Sequence, residues 1–399
     1  MCTFYQYNEP AGHVDAVKER RLARVSGLIA GFQTLSIYLT TQQSSETGKN
    51  EKGQEKLMQL KVIKTLDEFK EIKTEWNQLL KNCASHVPFL RHEYLEPWWT
   101  TLGGGEWEYG DLYIVTANSV DGRLVGIAPL FHTTNLDGKS ALMLIGSIEI
   151  SDYLDVIAAD EDLPAFTEAL LEHLDRLEAP AWDVLDLYNI LEDSPTLALL
   201  EAAALKRGWS FKQEQVQPAP RISLPDSWEE YLAGIQKKQR HEIRRKIRRS
   251  ESYFIPVRWY FADDENSLDD EIEAFLQLMA HDPSKEAFLT EIMRTQMRES
   301  IHTAYRAGWL QLAFLEVGDQ KAAAYLNFDY GNILWVYNSG INFDFSDLSP
   351  GWVLLAYLIQ WAIDHDRHTI DFMRGNEDYK YRFGGVDRFV VRVQISRES

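Results

Sequence analysis

Two cysteines in 399 residues, Cys2 and Cys83, leave no disulfide framework and no cysteine metal cluster. Positive charge is also short. Against 61 Asp and Glu stand 41 Lys and Arg, for a net charge of −20. That balance argues against general nucleic-acid coating and removes DNA from the expected partners, while allowing a local basic patch. No apolar run reaches the length of a membrane span. Leu28–Leu39 is interrupted by Gly31, Gln33, Thr34 and Ser36 and has no small-residue cleavage site, so neither a transmembrane segment nor a signal peptide is expected. The expected compartment is the cytoplasm. Gly103-Gly104-Gly105 lacks the lysine and the serine or threonine of a phosphate loop. Asp152 and Asp155 have no histidine nearby, so no metal site is expected. No Ser-His-Asp order stands out.

Aromatic and apolar residues are plentiful: 12 Trp, 18 Tyr and 18 Phe suffice for two cores. Residues 1–56 read as a disordered or poorly structured extension, because Gln42–Glu55 is polar, contains glycine and lacks periodicity. From residue 57 the pattern is α/β, a mixed twisted sheet flanked by helices. Thr65 caps a helix to Leu80 whose face is Leu66, Phe69, Ile72, Trp76 and Leu79. Strands follow at Leu112–Ala117, Leu124–Pro129 and Leu142–Ile145, with a turn at Asp121-Gly122. Helices Leu163–Leu177 and Thr196–Arg207 flank a strand at Val184–Leu187. Pro218-Ala219-Pro220 marks a transition, giving expected domains at 57–217 and 218–399. The second half has a strand at Val257–Tyr260, helices at Leu268–Met279 and Phe288–Ala307, and a hairpin of Leu310–Glu316 with Lys321–Tyr330. Ile333–Asn338 is a further strand, and Arg388–Ser396 is expected to close that sheet. The gross order of elements repeats, which is compatible with a duplicated fold.

The segment Ser346–Gly385 concentrates the functional signals. Ser349-Pro350-Gly351 opens an amphipathic helix, Trp352–Ile363, and Thr369–Met373 is a short strand leading into Arg374-Gly375-Asn376-Glu377. Such a unit sets a helix N-terminus beside a strand end, a place suited to an anion and to polar chemistry. Asp371 at the strand and Glu377 in the loop are candidate proton acceptors; the structural alternatives are a buried anchor and a solvated loop residue. Tyr379 and Lys380 can donate protons or bind an anion, and Arg374 suits a phosphate or carboxylate. Lys237–Arg249 holds eight Lys or Arg in thirteen residues around Ile243 and Ile247. It reads either as a positive wall of the cleft or as a solvated helix balancing an acidic protein. Ser151-Asp152-Tyr153-Leu154-Asp155 suits contacts to substrate hydroxyls or ammonium, or loop capping. Lys285, Asn338 and Glu316 are further binding candidates, and His281 reads as a capping or surface residue. Trp335, Tyr337 and Trp352 line an acyl pocket or fill cores.

Asp371-Phe372-Met373-Arg374-Gly375 and Tyr379-Lys380-Tyr381-Arg382-Phe383-Gly384, with Ser-Pro-Gly at the helix start, resemble the second half of proteins with two tandem GNAT-type acyltransferase domains. Pro88-Phe89-Leu90, Trp98-Trp99, Gly126-Ile127-Ala128-Pro129-Leu130 and Ser151–Asp155 add to the likeness. The chain is most similar to the CelD-like, or BioF2-like, acetyltransferase-domain group, with a more distant likeness to the FemAB aminoacyltransferases. The similarity covers roughly residues 60–397. It implies transfer of an acyl group from acyl-CoA, as co-substrate with no permanently bound cofactor, to an amine or hydroxyl of a small molecule or saccharide precursor in polysaccharide or cell-envelope biosynthesis. It places acyl-CoA where two central parallel strands splay, with pyrophosphate on the amides opening the next helix. Ser349, Gly351 and Trp352, with Arg374 and Lys380, are then the donor-binding candidates. Asp371, Glu377 and Tyr379 are catalytic candidates. Asp152, Tyr153, Asp155, Lys238, Arg240, Arg244, Lys285 and Asn338 are substrate-binding candidates. The family's amide-rich pyrophosphate loop is abbreviated here, and Pro350 removes a donor. FemAB relatives use aminoacyl-tRNA, so a tRNA-dependent transferase is the competing expectation, and a catalytically inactive scaffold is a third.

Overall fold

The computed structural model describes the backbone of residues 44–49 and 55–397, with side chains from residue 58. The first part of the chain supplies β1 (Ser44–Lys49), β2 (Glu55–Ile63), β3 (Asp111–Ser119), β4 (Leu124–Thr134), β5 (Ser140–Leu144), β6 (Ile157–Ala158), β7 (Val184–Leu191) and β8 (Trp209–Pro218). Its helices are α1 (Leu66–Glu71), α2 (Lys73–Leu80), α3 (His92–Gly105), α4 (Leu163–Leu174) and α5 (Pro195–Lys206). The second part supplies β9 (Arg221–Ser223), β10 (Val257–Phe261), β11 (Leu310–Val317), β12 (Gln320–Tyr330), β13 (Ile333–Ile341), β14 (Thr369–Asp371) and β15 (Phe389–Arg397). Its helices are α6 (Trp228–Gly234), α7 (Lys237–Glu251), α8 (Leu268–Ala280), α9 (Pro283–Phe288), α10 (Glu291–Arg306), α11 (Pro350–Asp364) and α12 (Asp378–Arg382).

The strands form two mixed sheets. One runs β1-β2-β3-β4-β5-β7-β15-β8, with β6 paired to β4; the other runs β10-β11-β12-β13-β14-β9. Each contains one parallel pair, β5 with β7 and β13 with β14, and all other pairings are antiparallel. Each sheet is flanked by helices, so the α/β reading with two tandem units holds. Three details differ from the sequence reading. The helix capped by Thr65 is two helices, meeting at Ile72. The polar stretch read as a linker carries β1, which pairs with β2; the rest of the extension expected over residues 1–56 lies outside the described residues, apart from the start of β2. Arg388–Ser396, expected to close the second sheet, lies in the first, where β15 is hydrogen-bonded between β7 and β8. Its Val390, Val393 and Ile395 are buried there, so a split at residue 217 assigns the last strand to the wrong unit.

Alternation along the second sheet assigns its two faces. Leu312, Phe314, Ala324, Leu326 and Phe328 join a core continuous with the first half. Ala313, Leu315, Val317, Ala323 and Tyr325 face α11, whose Val353, Leu354, Leu358 and Ile359 complete a second core. Helices α3 and α10 also meet across the halves. Leu102, Gly103 and Gly104 adopt left-handed conformations there, and a Cβ on Gly104 would lie 2.6 Å from Met293 Cε. The glycine run therefore serves close helix approach.

Candidate functional site

Strands β13 and β14 are paired only over Ile333–Trp335 and Thr369–Asp371, and then separate. A register shift between Leu326 and Asn327 of β12 leaves Tyr337 as the extra residue of β13, so the strand bends at the fork. A cleft of about 140 Å³ opens there. One wall is Val336, Tyr337, Asn338 and Ser339 of β13, with Tyr325; another is Phe372–Gly375 with Glu377, Tyr379 and Lys380. The first half closes it with Ile148, Glu149, Ile150 and Asp152, and β8 adds Gln217. The corresponding fork of the first half, between β5 and β7, is held against this same loop. Asn189 of β7 donates to the carbonyls of Ile148 and Ser151, both at 2.8 Å, and accepts from the Leu154 amide at 2.9 Å. One fork is plugged, and its plug becomes the wall of the other.

The cleft's charged groups are held in place. Arg374 Nε donates to Asp152 Oδ1 at 2.5 Å, and its terminal nitrogens donate to Asn189 Oδ1 at 3.0 Å and to the Glu149 carbonyl at 2.6 Å. Burial lifts the Asp152 carboxyl above its usual range, against the opposing pull of Arg374. Lys380 Nζ donates to the Arg374 carbonyl at 2.6 Å and to those of Met373 and Gly375 at 3.3 Å. It also lies 2.9 Å from Glu377 Oε2, an ionic contact whose angle is not that of a hydrogen bond. Gly375, at φ +114°, permits this arrangement, because a Cβ there would lie 2.4 Å from Glu377 Oε2. Lys285, only 4% exposed, donates to Asn338 Oδ1 at 3.0 Å and to the Ser339 carbonyl at 2.5 Å. Tyr337 donates to the Ile150 carbonyl at 2.8 Å, joining the two walls.

Glu149 was not singled out from the sequence as a site residue. Its side chain is exposed to the cleft, yet the surrounding protein raises its carboxyl above the ordinary range despite Arg374. Behind it, Glu106 accepts from the amides of Ile148 at 2.7 Å and Glu149 at 3.3 Å. Burial and the Glu149 charge push the Glu106 carboxyl up to about 8. Acidity in Ile148–Asp155 was visible in the sequence, but not which carboxylate faces the cleft.

Several expected site residues lie elsewhere. Asp371 is 1% exposed and does not line the cleft. It accepts from Tyr153 Oη and Arg388, both at 2.6 Å, and from the Met373 amide at 2.8 Å, so the anchor reading replaces that of a free base. Tyr153 is correspondingly a core residue. Asp155 accepts from Ser85 at 2.5 Å, Ser194 at 2.6 Å and the Val156 amide at 2.8 Å, and is a loop anchor. Glu316 pairs with Arg258 and Trp335 donates to the Tyr330 carbonyl, while His281 is an exposed helix cap. None of Lys238, Arg240 and Arg244 lines the cleft. Lys238 is exposed, Arg240 donates to the carbonyls of Leu232 and Ala233 at the end of α6, and Arg244 pairs with Glu229. The basic helix is therefore not a wall of this cleft.

Ser349, Gly351 and Trp352 stand at the start of α11, also outside the cleft lining. Ser349 Oγ accepts from Lys246 Nζ at 2.8 Å, and the same ammonium lies 4.6 Å from the Trp352 ring centre. Burial lowers the Lys246 pKa. Gly351 packs against Ile341, whose Cδ1 a Cβ would meet at 2.7 Å. Among the described residues, no group of three or more His, Cys, Asp or Glu could hold a metal ion, and no helix is long and apolar enough to cross a membrane.

Residues 237–381 match the family model of an acetyltransferase (GNAT) domain, a span that includes β13, β14 and the open fork. No curated protein matches the chain. Among solved structures, FemX is similar at TM-score 0.58 and 12% identity, over 82% of this chain and 96% of that one. A conserved protein of unknown function from Bacteroides thetaiotaomicron gives 0.54 and 14%, over 85% and 99%. The structure of L-PGS from Bacillus licheniformis gives 0.50 and 10%, over 81% and 91%. These likenesses are of fold, and they extend across both halves.

Proposed function

We propose, from the premise that residues 237–381 are a GNAT-type acetyltransferase domain and the chain is an acyltransferase, that it moves an acyl group from acyl-CoA to an amine or hydroxyl. The acceptor is a small molecule or saccharide precursor, in polysaccharide or envelope synthesis. The observation that carries this reading is the fork of β13 and β14, open to a cleft walled by both halves. The acyl end of the donor fits between the diverging strands, and the acceptor approaches along Ile148–Asp152. Glu149 takes the proton from the attacking nitrogen or oxygen as the new acyl bond forms and the carbon–sulfur bond breaks. Tyr379, on the opposite wall, supplies a proton to the departing thiolate. Lys285, Asn338, Gln217 and Glu377 offer hydrogen bonds to a polar acceptor.

Calorimetric titration with acetyl-, malonyl- and longer acyl-CoAs tests the donor, and thiol release with candidate amines tests transfer. Glu149→Gln is expected to lower turnover by about a hundredfold or more with donor affinity kept. Turnover unchanged in both Glu149→Gln and Glu377→Gln removes the carboxylates from the chemistry. A second reading, an aminoacyl-tRNA donor, is favoured by the start of α11, where Pro350 has no amide and Ser349 is engaged by Lys246. Failure of every acyl-CoA to bind, with acyl transfer from aminoacyl-tRNA, selects it.

A further inference from the structure

Helix α7 has a job to explain once it is removed from the cleft. Its Ile243 and Ser250 are buried, and Lys237, Lys238, His241, Arg245, Arg248 and Arg249 are all exposed. At about 100° per residue these six fall within roughly 120° of one another, opposite Ile243. At about 1.5 Å per residue the stripe is about 18 Å long. The acidic residues of α7 are Glu242, engaged with Arg245, and Glu251 at the end. Beside the stripe lies a groove of about 460 Å³ where His241, Arg244 and Arg248 meet Trp228 and Tyr357, with the carboxylates of Glu229 and Glu251 also on its lining. Shortly after the helix, Tyr253 is packed on the second core and supports Phe254 at 4.6 Å, leaving Phe254 83% exposed. A chain of net charge −20 thus presents a concentrated cationic face followed by an unburied aromatic ring.

We propose that this face is a docking surface for an anionic lipid bilayer. Charge complementarity supplies most of the attraction: the aligned cations face one plane, so they meet headgroup phosphates together. Arg244 being paired with Glu229, the groove seats one headgroup phosphate against Arg248, and Phe254 enters the headgroup boundary as an apolar anchor. The apolar side of α7 is already used against α11, so the helix lies on the surface without embedding its own core face. Binding of this kind is reversible and weakens with salt. It would hold the enzyme near acceptors or donors made at a membrane, and it does not depend on which acyl donor is used.

The test is co-sedimentation of the full chain with phosphatidylcholine vesicles, with and without phosphatidylglycerol. Binding is expected only with phosphatidylglycerol, and it is expected to fall as salt rises. K237E/R245E/R249E should weaken it by about a hundredfold, at about fivefold per cation near the surface, and F254S by severalfold. These side chains are exposed, so circular dichroism and melting of the variants should match the parent. Equal binding to neutral vesicles, no binding to either, or a triple variant that binds as the parent does overturns the proposal. Salt-sensitive binding to unacylated tRNA, lost in the triple variant while vesicles remain unbound, also overturns it by making the face a nucleic-acid surface.

Discussion

Replacing Arg374 with methionine keeps a long apolar stem but removes the donors that join the halves at the cleft. In the parent, the guanidinium bonds Asp152 at 2.5 Å, Asn189 at 3.0 Å and the Glu149 carbonyl at 2.6 Å, with side-chain exposures of 10% for Arg374 and 13% for Asp152. The substitution leaves a buried carboxylate and a carbonyl without that partner, for which the expected loss is about 3–5 kcal/mol. The pair itself is a weaker source of stability than that loss implies. Burial raises the Asp152 carboxyl even while Arg374 pulls it down, so desolvation outweighs attraction for the carboxylate, whereas Asp152 and Glu149 raise the Arg374 guanidinium despite its burial. Asp152→Asn combined with R374M should therefore recover much of the deficit, giving a coupling of about 2 kcal/mol. Arg374→Lys should not rescue, because one ammonium cannot span three acceptors held by a planar fork. Urea unfolding of the parent, both single variants and the double variant measures the cycle. A loss under about 1 kcal/mol for R374M, or a coupling under about 0.5 kcal/mol, refutes the staple.

Glu106 makes stability fall as pH rises from about 4.5 to about 8. Its carboxyl titrates near 8 when folded and near the ordinary 4.5 when unfolded, so the folded state binds more protons between those values and loses stability as pH rises through them. Glu106→Gln should flatten that dependence in urea melts at pH 5 and 9, and a flat parental curve would sink the assignment. Gly375→Ala should cost about 1–3 kcal/mol through its φ of +114° and its collision with Glu377, read by thermal melting; parental stability would contradict the turn. Glu149 predicts an acid limb in turnover, with activity lost as pH falls through a carboxyl pKa above the usual Glu value. Persistence of that limb in Glu149→Gln would assign it to another group.

Elements set by local chemistry were legible in the sequence. The periodicity of Trp352–Ile363 and its Pro350 start mark α11 to within a residue or two, and Gly318 marks the turn between β11 and β12. The last strand was misplaced because Val390, Val393 and Ile395 alternate in a way that suits either sheet; only the partners β7 and β8 decide. Asp371 shows the same limit at the level of a site. A carboxylate at a strand end looks available until Arg388 and Tyr153, distant in sequence, occupy both its oxygens. For α7, the buried stripe of Ile243 and Ile247 was readable, but not that the cationic face points away from the cleft lining. Lys285 and Asn338, named separately from the sequence, are brought into direct contact at the cleft.

The misplaced strand also bears on how the cleft works. Arg388 immediately precedes β15 and donates to Asp371 at the end of β14, while lying 4.8 Å from the Tyr153 ring centre. Tyr153 comes from the loop that plugs the first fork and donates to the other oxygen of Asp371. Three separate parts of the chain therefore converge just where β14 leaves β13. With Arg374 clamped to Asp152 and Tyr337 bonded to Ile150, the two walls are joined by buried polar contacts rather than by a hinge. Acyl transfer asks for little movement by the protein. It needs a nucleophile, an acyl carbon and a proton acceptor held within attacking distance, and most of the advantage comes from fixing that geometry before reaction. The inter-half network supplies such fixing. The two halves are accordingly not interchangeable copies: the loop bonded across the fork of the first half is a wall of the open fork in the second.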